Sequence, residues 1–531
     1  MTSFDIADTV LPEIWASHAR NRPASPALVC AGEVVSWGDF NARMNRLANA
    51  LLASGVGKGD RVAVLASSSV AACVAMFGTV KSGAAMVPIS SMLAADQVAT
   101  ILNDCGASHV LCTADLRHLV DAVRPQLTAV VSGGFVGLDF AEPEGAHGGW
   151  RDFAEFSAGV DEAEPPVVLG AHDVFSIMYS SGTTGAPKGV VHLHGARTYF
   201  ALSNGFEMGY APGARGLVTT ALYTAGTWLV VMPTLLVGGT LHIHARYDAQ
   251  RYVDALEAEG ITHTFAVPSQ LRALLDEGRL DGRAFPDLRV LLSAGSPLRP
   301  EEKKRLIGLI GRRFYELYGF TEGGSTLLRP EDQAAKPTSV GKPLMGQELV
   351  ILDEGRICGP GEPGEIATRG PGLLREYAGR EDATRAAIWR DAGGRSFVRS
   401  GDVGQLDEEG FLYILDRKKD MIISGGLNIY PADLEGVLCS HPAVADVCVI
   451  GIAHPKWDET PLGLVVLHPG AAIEAEELRI WANARLGKHQ RLSHLLLRTD
   501  LPRNALGKVL KRELRIEYTQ WREAAVPGAT S

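Results

Sequence analysis

Residues 179–192 read YSSGTTGAPKGVVH, and five hydroxyls (Tyr179, Ser180, Ser181, Thr183, Thr184), three glycines and one lysine fall within these fourteen positions. Glycine lets a backbone approach a ligand closely, and successive N–H and hydroxyl donors in a turn form an anion-binding nest. The spacing is not that of a Walker A loop, which needs G-x-x-x-x-G-K-[ST]; here Gly182 and Gly185 precede Lys188, and Gly189 follows it. Taken alone, the stretch reads equally well as a polar loop between a strand and a helix. Its meaning comes from its surroundings.

Upstream, the chain alternates between two periodicities. VVSWGDFNARMNRLANALLASG places Phe40, Met44, Leu47 and Leu51 on one helical face, DRVAVLA reads as a buried strand, VAACVAMFGTVKSG as a helix and AAMVPIS as a strand. Downstream, the strand-like THTFAVP, RVLLSAG and RFYELYG alternate with helical segments such as PEEKKRLIGLI. This rhythm predicts parallel α/β layering. After about residue 340 the texture changes to short strands and Gly/Pro turns, GQELVILDEGRICGPGEPGEIATRGPG, which predicts a small β-rich subdomain. From about 420 a further alternation (MIIS, PADLEGVLCSHP, VADVCVIGI, PLGLVVLHP, AEELRIWANARLG) predicts a separate α+β domain. The fold class is therefore α/β: a large N-terminal domain, residues 1–417, followed by a small α+β C-terminal domain, residues 418–531.

Composition narrows the function classes. A chain of 531 residues with 46% apolar and 21% charged residues is globular and too long for one core. A formal net charge of −10 gives no overall basic face for nucleic acid or anionic membrane. Seven cysteines (Cys30, Cys73, Cys105, Cys112, Cys358, Cys439, Cys448), odd in number and without a Cys-x-x-Cys pair, fit a reducing cytoplasm better than a disulfide framework or a zinc site. MTSFDIADTVLPEIW carries acids where a signal peptide needs positive charge, and the longest apolar region, WLVVMPTLLVGG, is too short and broken to span a bilayer.

Four ordered elements carry a resemblance to the adenylate-forming superfamily of acyl-CoA synthetases, luciferases and peptide-synthetase adenylation domains. SSGTTGAPKGV resembles its phosphate signature, YELYGFTEGG its Tyr-Gly-x-Thr-Glu element, RSGDVGQLDEEGFLYILDRKKDMIISGGLNIYP its ribose and hinge elements, and PRNALGKVLKREL its C-terminal lysine element. The resemblance implies ATP-dependent activation of a carboxylic acid to an acyl-adenylate with release of pyrophosphate, then transfer of the acyl group to coenzyme A. In that reaction two anions meet, and unit charges about 4 Å apart repel by roughly 4 kcal/mol at an effective dielectric of 20. Mg²⁺ and cationic side chains are therefore expected.

The family match assigns roles. Ser180, Ser181, Gly182, Thr183, Thr184, Gly185 and Lys188 would cradle the β- and γ-phosphates, Thr321 would contact phosphate and Glu322 would hold the metal. Tyr318 and Gly319, with Gly295 and Ser296 in SAGSP, would form the adenine slot. Asp402 would accept both ribose hydroxyls, with Arg417 beside it as a fixed cationic fork. Lys508 would bridge the acid's carboxylate and the α-phosphate, Lys511 and Arg512 being its neighbours in sequence. A hinge at Lys419 would exchange the Lys508 face for the strand carrying Gly425 and Gly426, opening a channel for pantetheine.

The acid pocket is expected around Tyr223, Thr224, Thr227 and Trp228, near Gly323 and Gly324, whose missing side chains leave space for an aliphatic, aromatic or alicyclic tail. Two departures from the family pattern stand out. Thr224 replaces the histidine common in acyl-CoA synthetases, and LGKHQRL (486–492) lacks the proline frequent at its turn. No aspartate stands in ALYTAGTW to hold an α-ammonium group, which argues against an amino acid. Coenzyme A is the expected acceptor, a carrier protein the alternative; a homodimer is left open. A nucleotide sensor or a kinase-like phosphotransferase is the competing class, and release of AMP and pyrophosphate only with an acid separates the three.

Overall fold

The computed structural model describes residues 8–140, 148–180, 187–296, 298–424, 427–454, 457–504 and 507–525. Two compact units form: Met1–Leu349 with Thr368–Val398, and Val350–Ala367 with Arg399–Ser531. Residues 399–417, grouped with the large domain from sequence, thus fall with the tail. One reason is local pairing: Asp402 stands across from Arg417 in an antiparallel ladder, and the Lys418 N–H donates to the Gly401 carbonyl.

Among the described residues, the first unit contains two sheets. One runs in the order Glu376–Tyr377, Lys188–Leu193, Val174–Ser180, Ala85–Pro88, Arg61–Leu65, His109–Cys112, Phe135–Gly137, Arg151–Asp152. The other runs Lys342–Pro343, Ser325–Leu328, Phe314–Gly319, Val290–Ala294, His263–Phe265, Arg215–Val218, Thr240–Ile243, Pro26–Cys30, Glu33–Ser36. Parallel pairing dominates the interiors and antiparallel strands close the edges. Strands covered on both faces read as unbroken apolar runs. Ala85–Pro88, His109–Cys112 and Val290–Ala294 are buried at every position accordingly.

The helix Trp37–Ala53 begins at Ser36, whose hydroxyl accepts from the Asp39 N–H, and buries Phe40, Met44, Leu47 and Leu51 as its periodicity required. The longest apolar stretch is the helix Trp228–Leu236, buried from Trp228 to Leu235. No helix of the described residues is long and apolar enough to cross a membrane. Past residue 340 the expected short strands are present, including Glu348–Asp353, Gly364–Arg369, Ser396–Leu406 and Leu412–Arg417.

In the second unit, the tail folds on strands Val444–His454 and Asp458–Leu467. Val447, Val449 and Val465 face the helices Pro431–Cys439 and Ala475–Asn483, while Cys448, Ile450, Leu462 and Leu464 face Leu514 and Tyr518 of the helix Lys511–Ala525. Period-2 alternation thus serves two apolar layers, one on each face of the sheet.

Glycine is compulsory at one turn of the first unit. Gly323 has φ +115° and a Cβ there would lie 2.2 Å from the Gly372 carbonyl oxygen. Gly308, exposed in the helix Pro300–Ile310, has open space around it. Gly323→Ala is expected to lower the thermal midpoint by several degrees, equivalent to about 2 kcal/mol, while Gly308→Ala leaves it unchanged or slightly raised; thermal melting of the ligand-free chain reads both.

Candidate active site

The phosphate loop begins where the strand Val174–Ser180 ends, and Ser180 pairs across from Lys188. No helix follows the stretch directly: a second strand, Lys188–Leu193, intervenes before the helix His194–Glu207. Ser181, Gly182, Thr183, Thr184 and Gly185 lie outside the described residues, as do Gly425 and Gly426.

Lys188 leads out of that loop with its Nζ 5.2 Å from the centroid of the Tyr377 ring. Tyr377 belongs to a two-residue strand paired with Val190, and its hydroxyl donates to Glu322 Oε1 at 2.6 Å. Burial first, and then the Glu322 carboxylate, raise the proton affinity of that phenol, so it stays a donor. Sequence reasoning missed Tyr377, because nothing in LLREYAG announces that a lone aromatic joins two distant motifs.

Thr321 and Glu322, partly exposed, stand in the turn after the strand Phe314–Gly319, and the Glu322 carbonyl accepts from the Leu374 N–H at 2.7 Å. No group of three His, Cys, Asp or Glu that could hold a metal occurs among the described residues. That donor set fits Mg²⁺ nonetheless, which binds through one or two carboxylates plus substrate phosphates and not through a cage made wholly of protein. Glu322 would hold it.

Tyr318 lies near the end of Phe314–Gly319, and the neighbouring parallel strand Val290–Ala294 ends just before Gly295 and Ser296. Ligands of open α/β sheets settle beyond the carboxyl ends of such strands. Both Tyr318 and Ser296 are partly exposed and Gly295 and Gly319 are exposed, which leaves that edge reachable.

The expected acid pocket needs revision. The position where a Gly324 Cβ would stand lies 2.3 Å from Thr368 Oγ1 and 2.6 Å from Phe320, so the space expected at Gly323 and Gly324 is filled by the protein's own atoms. Thr224 is buried, with its hydroxyl donating to the Ala221 carbonyl at 3.0 Å and 2.7 Å from the Thr227 hydroxyl, which in turn lies 2.6 Å from that of Thr220. These hydroxyls satisfy one another. Trp228 is fully buried, its indole N–H donating to the Leu222 carbonyl at 2.7 Å and its ring packed on Phe175. Tyr223 remains partly exposed.

Against Trp228 lies a residue the sequence did not single out. Arg197, 3% exposed, has its guanidinium 5.2 Å from the Trp228 ring centroid and 5.4 Å from that of Phe200. Its Nη2 donates to His192 Nδ1 at 2.8 Å and approaches Met178 Sδ at 3.3 Å, but no carboxylate pairs with it among the described residues. Each cation–π contact is worth about 0.5–2 kcal/mol, whereas removing a charge from water costs several kcal/mol. Burial pushes the guanidinium down to about 9, still charged at neutral pH, and burial and that cation keep His192 neutral.

The second unit gathers the remaining residues. Asp402, buried, accepts from Arg417 Nε at 3.2 Å. Lys508 sits after a turn in which the Asn504 N–H donates to the Lys508 carbonyl at 2.9 Å and the Lys508 N–H donates to Asn504 Oδ1 at 3.0 Å; Gly507 takes φ +73°. Arg503 donates to the Gly507 carbonyl and pairs with Asp446, fixing the turn further. The Lys508 ammonium makes no ion pair among the described residues. Burial, and next the Arg417 charge, push it down to about 7, against the pull of Asp402 and Asp420.

Lys511, by contrast, is paired with Glu435 at 2.8 Å, which separates the two lysines by role. Lys419 is exposed in a turn closed by the Asp420 and Met421 N–H groups on the Arg417 carbonyl, between Lys418, paired with Glu365, and Asp420, paired with Arg515.

Comparison with known proteins agrees with this geometry. Residues 15–378 match the model of the AMP-binding enzyme family and residues 433–508 that of the AMP-binding enzyme C-terminal domain. The chain is 34% identical over 491 residues to a long-chain-fatty-acid–CoA ligase of Mycobacterium tuberculosis, covering 91% of this chain and 93% of that one. It is 31% identical over 533 residues to a fatty acid–[acyl-carrier-protein] ligase of Streptomyces coeruleorubidus, covering 97% of each. Among solved structures, o-succinylbenzoate CoA synthetase from Bacillus subtilis with its acyl-adenylate intermediate superposes with a TM-score of 0.83 at 30% identity, over 96% of this chain and 98% of that one. The same enzyme has been solved with ATP and a magnesium ion.

The chain belongs to the AMP-binding enzyme family. It is an AMP-forming acyl-CoA ligase: it uses ATP and Mg²⁺ to activate a carboxylic acid as an acyl-adenylate and transfers the acyl group to coenzyme A.

Two measurements probe the site. Tyr377→Phe keeps the ring beside Lys188 and removes the bond to Glu322; the Mg²⁺ concentration for half-maximal adenylation should rise by about one order of magnitude, the scale of one hydrogen bond to a charged group, with the thermal midpoint nearly unchanged. Lys508→Met removes an ammonium that folding holds at a lowered proton affinity, so the unfolded chain binds more protons between about pH 7 and the ordinary lysine range. The variant should therefore melt higher than the parent at pH 7 and below, and the gain should vanish as pH approaches 10.5.

Proposed function

We propose that Lys508 is the group that joins the acid to the α-phosphate, that Glu322 holds Mg²⁺ with Thr321 on phosphate, and that residues 180–185 and Lys188 receive the β- and γ-phosphates. Tyr318 with Gly295, Ser296 and Gly319 takes the adenine, and Asp402 the ribose hydroxyls, Arg417 steadying its carboxylate. The observation that carries this reading is the largely enclosed, unpaired ammonium of Lys508, held by a turn bonded to Asn504. A charge left without a counter-ion is a charge reserved for a ligand, and it acts where negative charge develops in the transition state.

The small domain turns about Lys419, which lies exposed between two anchored neighbours, and this motion brings Gly425 and Gly426 to the thiol step. We place the functional boundary there, after Arg417. Coenzyme A is the acceptor and the acid is fatty, aryl or alicyclic, a reading supported by the apolar Trp228 region and by the lack of an aspartate in 221–228. The activity of the Streptomyces coeruleorubidus relative favours carrier protein as the second reading. Every residue invoked comes from one chain, so the reading needs no second subunit, and the scattered cysteines, none paired, suit the cytoplasm.

The test divides the reaction. Lys508→Ala should lower acid-dependent pyrophosphate release by about 10²–10³, yet largely retain thioester formation from supplied acyl-adenylate and coenzyme A. Equal loss in both halves refutes the division of labour, and release of ADP in place of AMP refutes the reaction class. A thioester formed only on a phosphopantetheinyl carrier protein would transfer the assignment to the second reading.

A further inference from the structure

Arg197 is more than a buried cation, because its neighbourhood is a set of donors without an acceptor. Both of its hydrogen bonds leave from Nη2, and its Nε is buried and unpartnered. An arginine only donates, so His192 Nδ1 must accept, and the neutral ring then carries its hydrogen on Nε2. That Nε2 is turned to the backbone of Thr321, while the hydroxyl of Ser176, which stands opposite His192 in the strand register, is buried without a partner. Met178, which the guanidinium touches, lies two residues from Ser176 and so on the same face of the strand.

Unspent donors in a dry place call for an oxygen acceptor, and with a full positive charge among them, for an anionic one. The location fits the acid. Trp228 bounds the guanidinium on one side, and the backbone of Thr321 faces the His192 ring. These are two of the segments between which the acid is read to lie. Phe200 covers another face of the guanidinium and is itself partly exposed, so this is the side from which a ligand group would approach.

We propose that Arg197 receives a second carboxylate carried by the acid, so that the preferred substrates are dicarboxylic acids with an aliphatic or aromatic body. The proposal rests on the ligase reading above and adds the substrate class. It also gives the Thr224 departure a sense: with Thr224 tied to Thr227 and Ala221, the polar recognition of the acid falls to Arg197 instead.

The experiment compares acid-dependent pyrophosphate release for matched pairs: straight-chain monocarboxylates of six to twelve carbons against the α,ω-dicarboxylates of equal length, and 3-phenylpropionate against 3-(2-carboxyphenyl)propionate, with the half-amide of each diacid as an uncharged isostere. The parent enzyme should favour at least one diacid over its monoacid by tenfold or more in kcat/KM, and the half-amide should fall to the monoacid's value. Arg197→Met should abolish that preference while leaving the KM for MgATP unchanged and the thermal midpoint no lower, since exchanging a buried unpaired charge for an apolar chain does not destabilise a fold; Arg197→Lys should keep part of it. Preference for the monoacid in every pair, or equal loss for both acids in Arg197→Met, overturns the proposal. The parent-enzyme comparison with half-amides decides the matter even where the variant fails to fold. Absence of pyrophosphate release with every acid would instead overturn the ligase reading, and this proposal with it.

Discussion

A positive charge that the protein leaves unpaired is the constraint on which the rest depends. Joining a carboxylate to a polyphosphate requires cations, but an arginine or lysine already paired with aspartate has little left to offer a ligand. Two enclosed cations show no carboxylate partner among the described residues: Lys508, beside Arg417, and Arg197, between Trp228 and Phe200. Both are held at a cost in solvation that the surrounding fold must offset, and the extensive apolar layers around the sheets supply that reserve. The paired cation Lys511 shows the contrast, since its bond to Glu435 ties the last helix to its neighbour and leaves no charge to spare.

The site is assembled from elements far apart in sequence but terminating together. Parallel strands present their carboxyl ends to one edge, so Gly295, Ser296, Tyr318 and Gly319 follow from the topology of a single sheet. Tyr377 does the same service for the other sheet, since its short strand lies on Lys188–Leu193 while its hydroxyl reaches Glu322. The strand that starts at Lys188 and the turn that carries Glu322, which belong to different sheets, are thereby joined through one phenol.

Much of this was legible in the residues. The alternation of buried runs and amphipathic helices announced parallel α/β layers, and four ordered motifs together carried a family resemblance that the family models bear out, although no one of them would have done so alone. What escaped was spatial. Pro26–Cys30 pairs with Thr240–Ile243, more than two hundred residues away, and no periodicity encodes such a partner. Gly323 and Gly324 declared that side chains were missing but not that Gly372, Thr368 and Phe320 occupy the vacancy. Arg197 looked like any charged residue on a helix, since its significance lies in the carboxylate that is not beside it. One reading of the hydroxyl-rich stretch put a helix directly after it, whereas Ser180 pairs with Lys188 and a strand, Lys188–Leu193, comes first.

The enclosure of Lys508 has a consequence for motion. Partly buried and facing the Arg417 charge, its amine holds a proton weakly, its affinity pushed down to about 7. The turn of the tail about Lys419 proposed above would carry it out of that field and into solvent, where its ordinary basicity would return. Swinging the small domain would then also be a proton uptake, and buffer composition would act on the conformational cycle itself, even in steps that exchange no hydrogen ion with acid, nucleotide or thiol.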